Sequence, residues 1–240
     1  MKITNLKNLS ALSLFPLLSL VGNTAEGAVS RHTEFNFLEI KVGASQPTAL
    51  RGNTKLSAGD PKLVVGLAAG RKLMKQLAID LEYKYSGKSE YNFGNPIDTF
   101  NVASWKANSN ALMLNMSVDL INVKSPIVPY LKVGAGIANN HAYKYIKITN
   151  PGGAVTTTTT YNGRTKNDFA WQIGMGLNIE TTPLFDIQLQ YMFTNLGKIE
   201  TGATATSVYS NGIPPTSIST MPKTGKLQMH VGTIGMRFRF

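Results

Sequence analysis

Four carboxylates, Asp80, Glu82, Asp119 and Glu180, sit inside otherwise apolar stretches of this 240-residue chain. Carboxyl groups in such surroundings are candidates for general acid–base work. A nucleophile would need a base held beside it. The three histidines offer none in sequence. His32 precedes the first regular element, His141 lies in a long connection without an adjacent carboxylate, and His230 shares its parity with large apolar residues. Gly134-x-Gly136 and Gly174-x-Gly176 lack the following helix that a phosphate-cradling loop requires. There is no cysteine, so neither disulfides nor thiolate metal sites can form, and no pattern asks for a cofactor. The carboxylates fit a structural salt network better than an active site, and the chain reads as no enzyme.

The elements that must position these groups are strands. Phe169 to Glu180 places large apolar residues at every odd position and small or polar ones at every even position. In a strand the two sets lie on opposite faces. The same period of two runs through Leu38–Ala44, Leu77–Tyr85, Leu112–Leu120, Ile187–Phe193 and Ile234–Phe240. Leu63–Gly70 and Tyr130–Ala138 are less pure and rich in Gly and Ala. That makes eight strands of roughly 9–11 residues, the length a tilted strand needs to cross a bilayer.

One strand face collects Gly43, Gly66, Ala68, Gly70, Gly134, Gly136, Gly174, Gly176 and Gly235. It also collects Glu39, Lys41, Asp80, Glu82, Lys84, Asp119, Lys132, Glu180, Arg237 and Arg239. The exposed face of a soluble sandwich is rarely so rich in glycine. The lumen of a narrow barrel needs small residues beside large ones, and charges of both signs can pair across it. The sequence therefore predicts an all-β, eight-stranded, antiparallel up-and-down transmembrane barrel with a plugged lumen. Tyr83, Tyr85, Trp171, Tyr191, Phe193, Phe238 and Phe37 are expected in aromatic girdles.

Lys2 and Lys7, the apolar run Leu9–Val21 and Ala25-Glu26-Gly27 have the layout of a secretory signal. Residues 1–27 are expected to be cleaved and 28–240 to form the barrel domain, in the outer membrane of a Gram-negative bacterium. Charged residues are only 15% of the chain, and the mean hydropathy is −0.06. No run of about 18 apolar residues suggests a transmembrane helix.

Connections alternate in length. Arg71–Gln76, Asn122–Pro129 and Thr181–Phe185 are short; Ser45–Lys62, Gly87–Ala107, Asn139–Asn167 and Asn195–Lys226 are long. Short periplasmic turns and long extracellular loops are the rule for bacterial barrels. Asn150-Pro151-Gly152-Gly153 predicts a hairpin in the third loop, extending strands five and six as a ribbon. The fourth loop, with Pro214 and Pro215, reads as irregular and mobile. Net charge is +11, and the loops hold most of the excess. Lys144, Lys147, Arg164 and Lys166, with Tyr143, Tyr145 and Tyr161, make loop three the candidate surface for a partner. Nucleic acid is a poor candidate for an exported chain. Anionic lipid, lipopolysaccharide and acidic host protein all fit the charge.

The closing run Gly232-Thr233-Ile234-Gly235-Met236-Arg237-Phe238-Arg239-Phe240 resembles the terminal strand of outer-membrane proteins. The resemblance makes Phe240, Phe238 and Met236 a signal for the barrel-assembly machinery. Gly66-Leu67-Ala68-Ala69-Gly70, with Leu77 to Tyr83 after a short turn, is similar to the second hairpin of the small outer-membrane-protein β-barrel family. Pro129 to Gly136 resembles their fifth strand, and Tyr161 to Ala170 resembles the entry to strand six of the rickettsial surface adhesins. That resemblance implies binding of host-cell or serum protein, or glycan. The alternatives are a structural barrel or narrow pore without a ligand and, third, a lipid-acting barrel enzyme.

Overall fold

The computed structural model describes residues 34–49, 51–52, 57–93, 101–121, 125–150 and 156–240. The expected signal segment 1–27, His32 and the turn Pro151-Gly152-Gly153 lie outside the described residues. Eight long strands carry the architecture: β1 (Phe35–Pro47), β2 (Lys62–Lys72), β3 (Leu77–Phe93), β4 (Asn101–Asp119), β5 (Ile127–Ala142), β6 (Arg164–Glu180), β7 (Phe185–Glu200) and β8 (Thr224–Arg239). Each pairs antiparallel with the next in sequence. β8 then pairs with β1 from Phe37↔Arg239 to Pro47↔Met229, closing the ring. Asn36 and Phe240 each donate a backbone N–H to the other's carbonyl at 3.0 Å. Closure leaves the eight long strands no unpaired edge around the ring, which is the condition for placing strands in hydrocarbon.

The alternation decides which side of the wall each residue takes. Leu114, Ile137 and Met175 point outward and are 62%, 62% and 59% exposed, while Lys41, Glu82 and Gln172 point inward and are buried. A water-facing wall would not expose so continuous an apolar surface. On β6 the outward residues from Phe169 through Trp171, Ile173, Met175 and Leu177 to Ile179 are all apolar. Ten steps of about 3.3 Å, tilted near 40°, span about 25 Å, the height of a lipid-facing band.

Tyr83, Tyr85, Trp171, Tyr191 and Phe193 mark the long-loop border of that band, and Phe238 the other. The Tyr191 hydroxyl and His230 Nδ1 lie 2.7 Å apart, and the Trp171 and Phe193 rings lie 5.6 Å apart. Phe37 departs from expectation: it is 1% exposed, inside the lumen. Its odd position on β1 is shared with Glu39 and Lys41, so the pleat turns it inward, where the Arg237 guanidinium lies 4.2 Å from its ring centroid.

The strands outrun the expected length. β3 has 17 residues and β4 has 19. Above the girdle the alternation continues with its sense inverted. Tyr91, Trp105, Ile199 and Leu227 turn inward and are fully buried, while Glu90, Lys106, Lys198 and Lys226 turn outward. The barrel thus leaves the bilayer as a water-facing β-structure with an apolar core. Register shifts at Ser86/Ser89 on β3 and Asn195/Lys198 on β7 reset the parity of those two strands there. The second expected loop is therefore largely ladder, Ser89↔Ala107 to Phe93↔Ala103.

The third loop holds the expected hairpin arms, Tyr145–Thr149 and Thr157–Tyr161. The first arm pairs with β4 at Asn101–Ser104. The second pairs with Thr204–Tyr209, which pairs with Thr216–Ser219. The fourth loop is thus a sheet extension and not an irregular segment. Thr204-Ala205-Thr206-Ser207-Val208-Tyr209 has the β-branched and aromatic content of a strand, which outweighs the prolines that follow it.

Ile173→Arg should cost roughly 2–4 kcal/mol of barrel stability, because it puts a charge at mid-band, and Asn139→Arg, above the girdle, about 0–1 kcal/mol. Urea unfolding in lipid vesicles measures both, and equal costs would mean that the height of the lipid-facing band is misassigned.

Candidate functional site

The lumen is the first place where chemistry-bearing side chains converge. Seven of the expected inward charges form one buried cluster: Glu39, Lys41, Asp80, Glu82, Lys84, Lys132 and Arg237. Arg237 holds Glu39 through Nε at 2.7 Å, and Lys41 approaches Glu39 at 2.8 Å and Glu82 at 3.6 Å. Lys132 lies 2.7 Å from Asp80, and Lys84 lies 3.9 Å from Glu82. Amides stitch the ion pairs together. Asn115 donates to Asp80 at 2.7 Å and to Glu82 at 3.0 Å; Gln172 donates to Asn115 at 2.6 Å and accepts from Lys84 at 2.5 Å.

Asp119 and Glu180 do not join this cluster. Near the short-turn end Lys72 reaches Asp119 at 2.6 Å, and Arg239 reaches Glu180 at 3.6 Å and Asp186 through Nε at 2.8 Å. Lys72, Asn115, Gln172 and Asp186 were missed as network members. Their parity carries the signal: Asn115 shares it with Asp119, Gln172 with Glu180, Lys72 with Gly66 and Gly70, and Asp186 with Gln188 and Gln190.

Glycines make room for the cluster. A Cβ at Gly134 would overlap the Asn115 side-chain oxygen, one at Gly235 would come within 2.9 Å of Lys41 Cγ, and one at Gly176 within 2.5 Å of the Tyr130 hydroxyl. Each carboxylate in the lumen already has a cation or amide against it. The arrangement is a filled polar core, and such a core is expensive to disturb: removing one partner of a buried pair leaves about 3–5 kcal/mol of uncompensated charge. Among the described residues no His and carboxylate group is spaced to hold a metal.

The second place is the sheet above the girdle. Tyr145 is buried with its ring edge-on to Trp105 at 5.7 Å and to Tyr161 at 5.4 Å. Trp105 Nε1 donates to the Tyr143 carbonyl at 3.2 Å. Burial raises the Tyr145 phenol, and Tyr161 adds to the effect. Lys88 lies 4.0 Å from the Tyr143 ring centroid, and Lys223 lies 5.7 Å from that of Tyr161. Of the loop-three cations, Lys166 and Arg164 both pair with Glu200. Lys144 and Lys147 are exposed, and among the described residues no carboxylate pairs with them. The three tyrosines are thus partly structural, and the free charge of the ribbon falls on two lysines. At the other end of the chain Phe240, Phe238 and Met236 stand outward, 70%, 42% and 42% exposed.

Solved structures with a similar architecture include Neisserial surface protein A, 14% identical, covering 85% of this chain and 97% of its own, with a TM-score of 0.46. The outer membrane protease OmpT from Escherichia coli is 11% identical, covers 88% and 99%, and has a TM-score of 0.45. Ail, the attachment invasion locus protein of Yersinia pestis, is 11% identical, covers 88% and 100%, and has a TM-score of 0.42. A search of curated proteins finds no match. The family model described as outer membrane protein beta-barrel domain matches residues 15–214. The chain therefore belongs to the outer-membrane β-barrel family and is a multi-pass barrel of the Gram-negative outer membrane, with its long loops outside.

Proposed function

We propose that this barrel is a surface adhesin. It is exported by way of residues 1–27, inserted through recognition of its terminal strand by the assembly machinery, and displays a rigid basic sheet to acidic protein or glycan on a host cell. The observation that carries the reading is the sheet itself. Five antiparallel segments, from Asn101–Ser104 to Thr216–Ser219, are locked together outside the bilayer over the Trp105–Tyr145–Tyr161 core. A barrel needing only to persist in the membrane has no use for it. Preorganised surfaces bind with less ordering cost than loose loops.

The free lysines and the support core have separable roles. Lys144→Ala with Lys147→Ala should weaken host-cell binding and flatten its salt dependence while leaving thermal stability unchanged. Trp105→Ala should cost about 3–5 kcal/mol in the outer sheet, expose loop three to protease and abolish binding, with the membrane barrel intact. Cell-adhesion assays and limited proteolysis on intact cells read both. Unaltered adhesion by the double lysine variant would remove the basic ribbon as the contact.

A pore is the reading that the packed lumen disfavours. Planar-bilayer recordings should give no stable conductance, and a large steady one would show that the charge cluster is not a plug.

A further inference from the structure

Two cations face each other across β7 and β8 where a sheet would ordinarily avoid it. Lys198 is the cross-strand partner of Lys226, and Lys226 is in turn the register partner of Arg51 in the short strand Arg51–Gly52. Lys198 and Lys226 are both exposed. Among the described residues no carboxylate pairs with either; the nearest in sequence, Glu200, is taken by Lys166 and Arg164. Like charges directly opposite destabilise an antiparallel pair.

A backbone device puts them there. Below, Asn195 pairs with Gln228, so an unbroken ladder would set Gly197 opposite Lys226. The bulge between Asn195 and Lys198 adds one residue and brings Lys198 into that position. Gly197 makes the bulge possible with φ +80°, and a Cβ there would come within 2.6 Å of Asp168 Cβ. Side chains fix it: Gly197 N–H donates to Asn195 Oδ1 at 2.9 Å and Lys198 N–H to Asp168 Oδ2 at 2.8 Å.

The height of the pair names its partner. Going outward on these two strands, the outward-facing couples run Phe193 with His230, then Asn195 with Gln228, then Lys198 with Lys226. Aromatic, amide and cation is the order of a wall passing from hydrocarbon edge to headgroup. Lys226 is four residues beyond His230, about 10 Å higher for a tilted strand, and the headgroup layer on each side is about 5–8 Å deep. A lysine stem folding back along the wall reaches that layer.

We propose that Lys198 and Lys226 form a clamp for a phosphate of a phosphorylated glycolipid in the outer leaflet, on the wall of β7 and β8. Its anion takes the place of the missing carboxylate and relieves the repulsion that the bulge builds in. The clamp is distinct from the loop-three ribbon and does not depend on the adhesin reading.

The refolded full chain in neutral detergent, with and without diphosphorylated lipid A, tests this through the thermal unfolding midpoint. Lipid A should raise the midpoint of the wild type, and the same lipid after phosphate removal should not. In Lys198→Gln with Lys226→Gln the rise should fall to that of the dephosphorylated lipid. Without lipid that variant should fold and melt no lower than wild type, since repulsion is lost. Lys144→Gln with Lys147→Gln should keep the full rise. A full rise in the first variant, an equal loss in the second, or the same rise with inorganic phosphate alone would each overturn the clamp.

Discussion

Everything in this molecule depends on the ladder that joins its first strand to its last. In hydrocarbon an unpaired backbone N–H or carbonyl costs several kcal/mol, so an open sheet of these strands could not enter a bilayer. The β1–β8 pairing, finished by the two bonds between Asn36 and Phe240, removes the two edges at once. Closing the ring with eight strands also fixes a narrow lumen. The lumen must then be filled, and the filling has to satisfy the wall's inward parity.

The filling is largely polar within the membrane and largely apolar above it. Six carboxylates, Glu39, Asp80, Glu82, Asp119, Glu180 and Asp186, meet six cations, Lys41, Lys72, Lys84, Lys132, Arg237 and Arg239. Balanced charge makes burial tolerable, and Asn115 and Gln172 bond the oxygens and ammonium groups left over. Where the wall rises clear of lipid, water wets its outside, and Trp105, Tyr91, Leu227 and Ile199 can take the inside. One architecture thus follows membrane rules below and soluble rules above, with the aromatic girdle at the crossover.

That inversion explains what the sequence could and could not tell. Apolar-out, polar-in alternation was plain for Phe169 to Glu180 and gave the faces of all eight strands. Above the girdle the outward residues are Asn108, Lys106 and Glu90 and the inward ones Ala107 and Trp105, so the same period carries the opposite sign and looked like loop. Two bulges shifted the parity further, and only a register could reveal that Lys198 meets Lys226. Phe37 has the aromatic type and strand-end position of a girdle residue, but its parity with Glu39 puts it in the lumen. The network around Glu82 was legible as a set of charges, but its amide members Asn115 and Gln172 carried no charge to mark them.

Ring closure can be tested without ambiguity, because the chain has no cysteine of its own. Ile40 and Met236 are partners in the closing ladder, whereas Ile40 and Ile187 are separated by β8. Mild oxidation of Ile40→Cys with Met236→Cys in native membranes should give an intramolecular disulfide, detected as faster migration of the unfolded chain. Ile40→Cys with Ile187→Cys should give none. Cross-linking of the second pair, or failure of the first in a folded protein, would contradict the closed barrel.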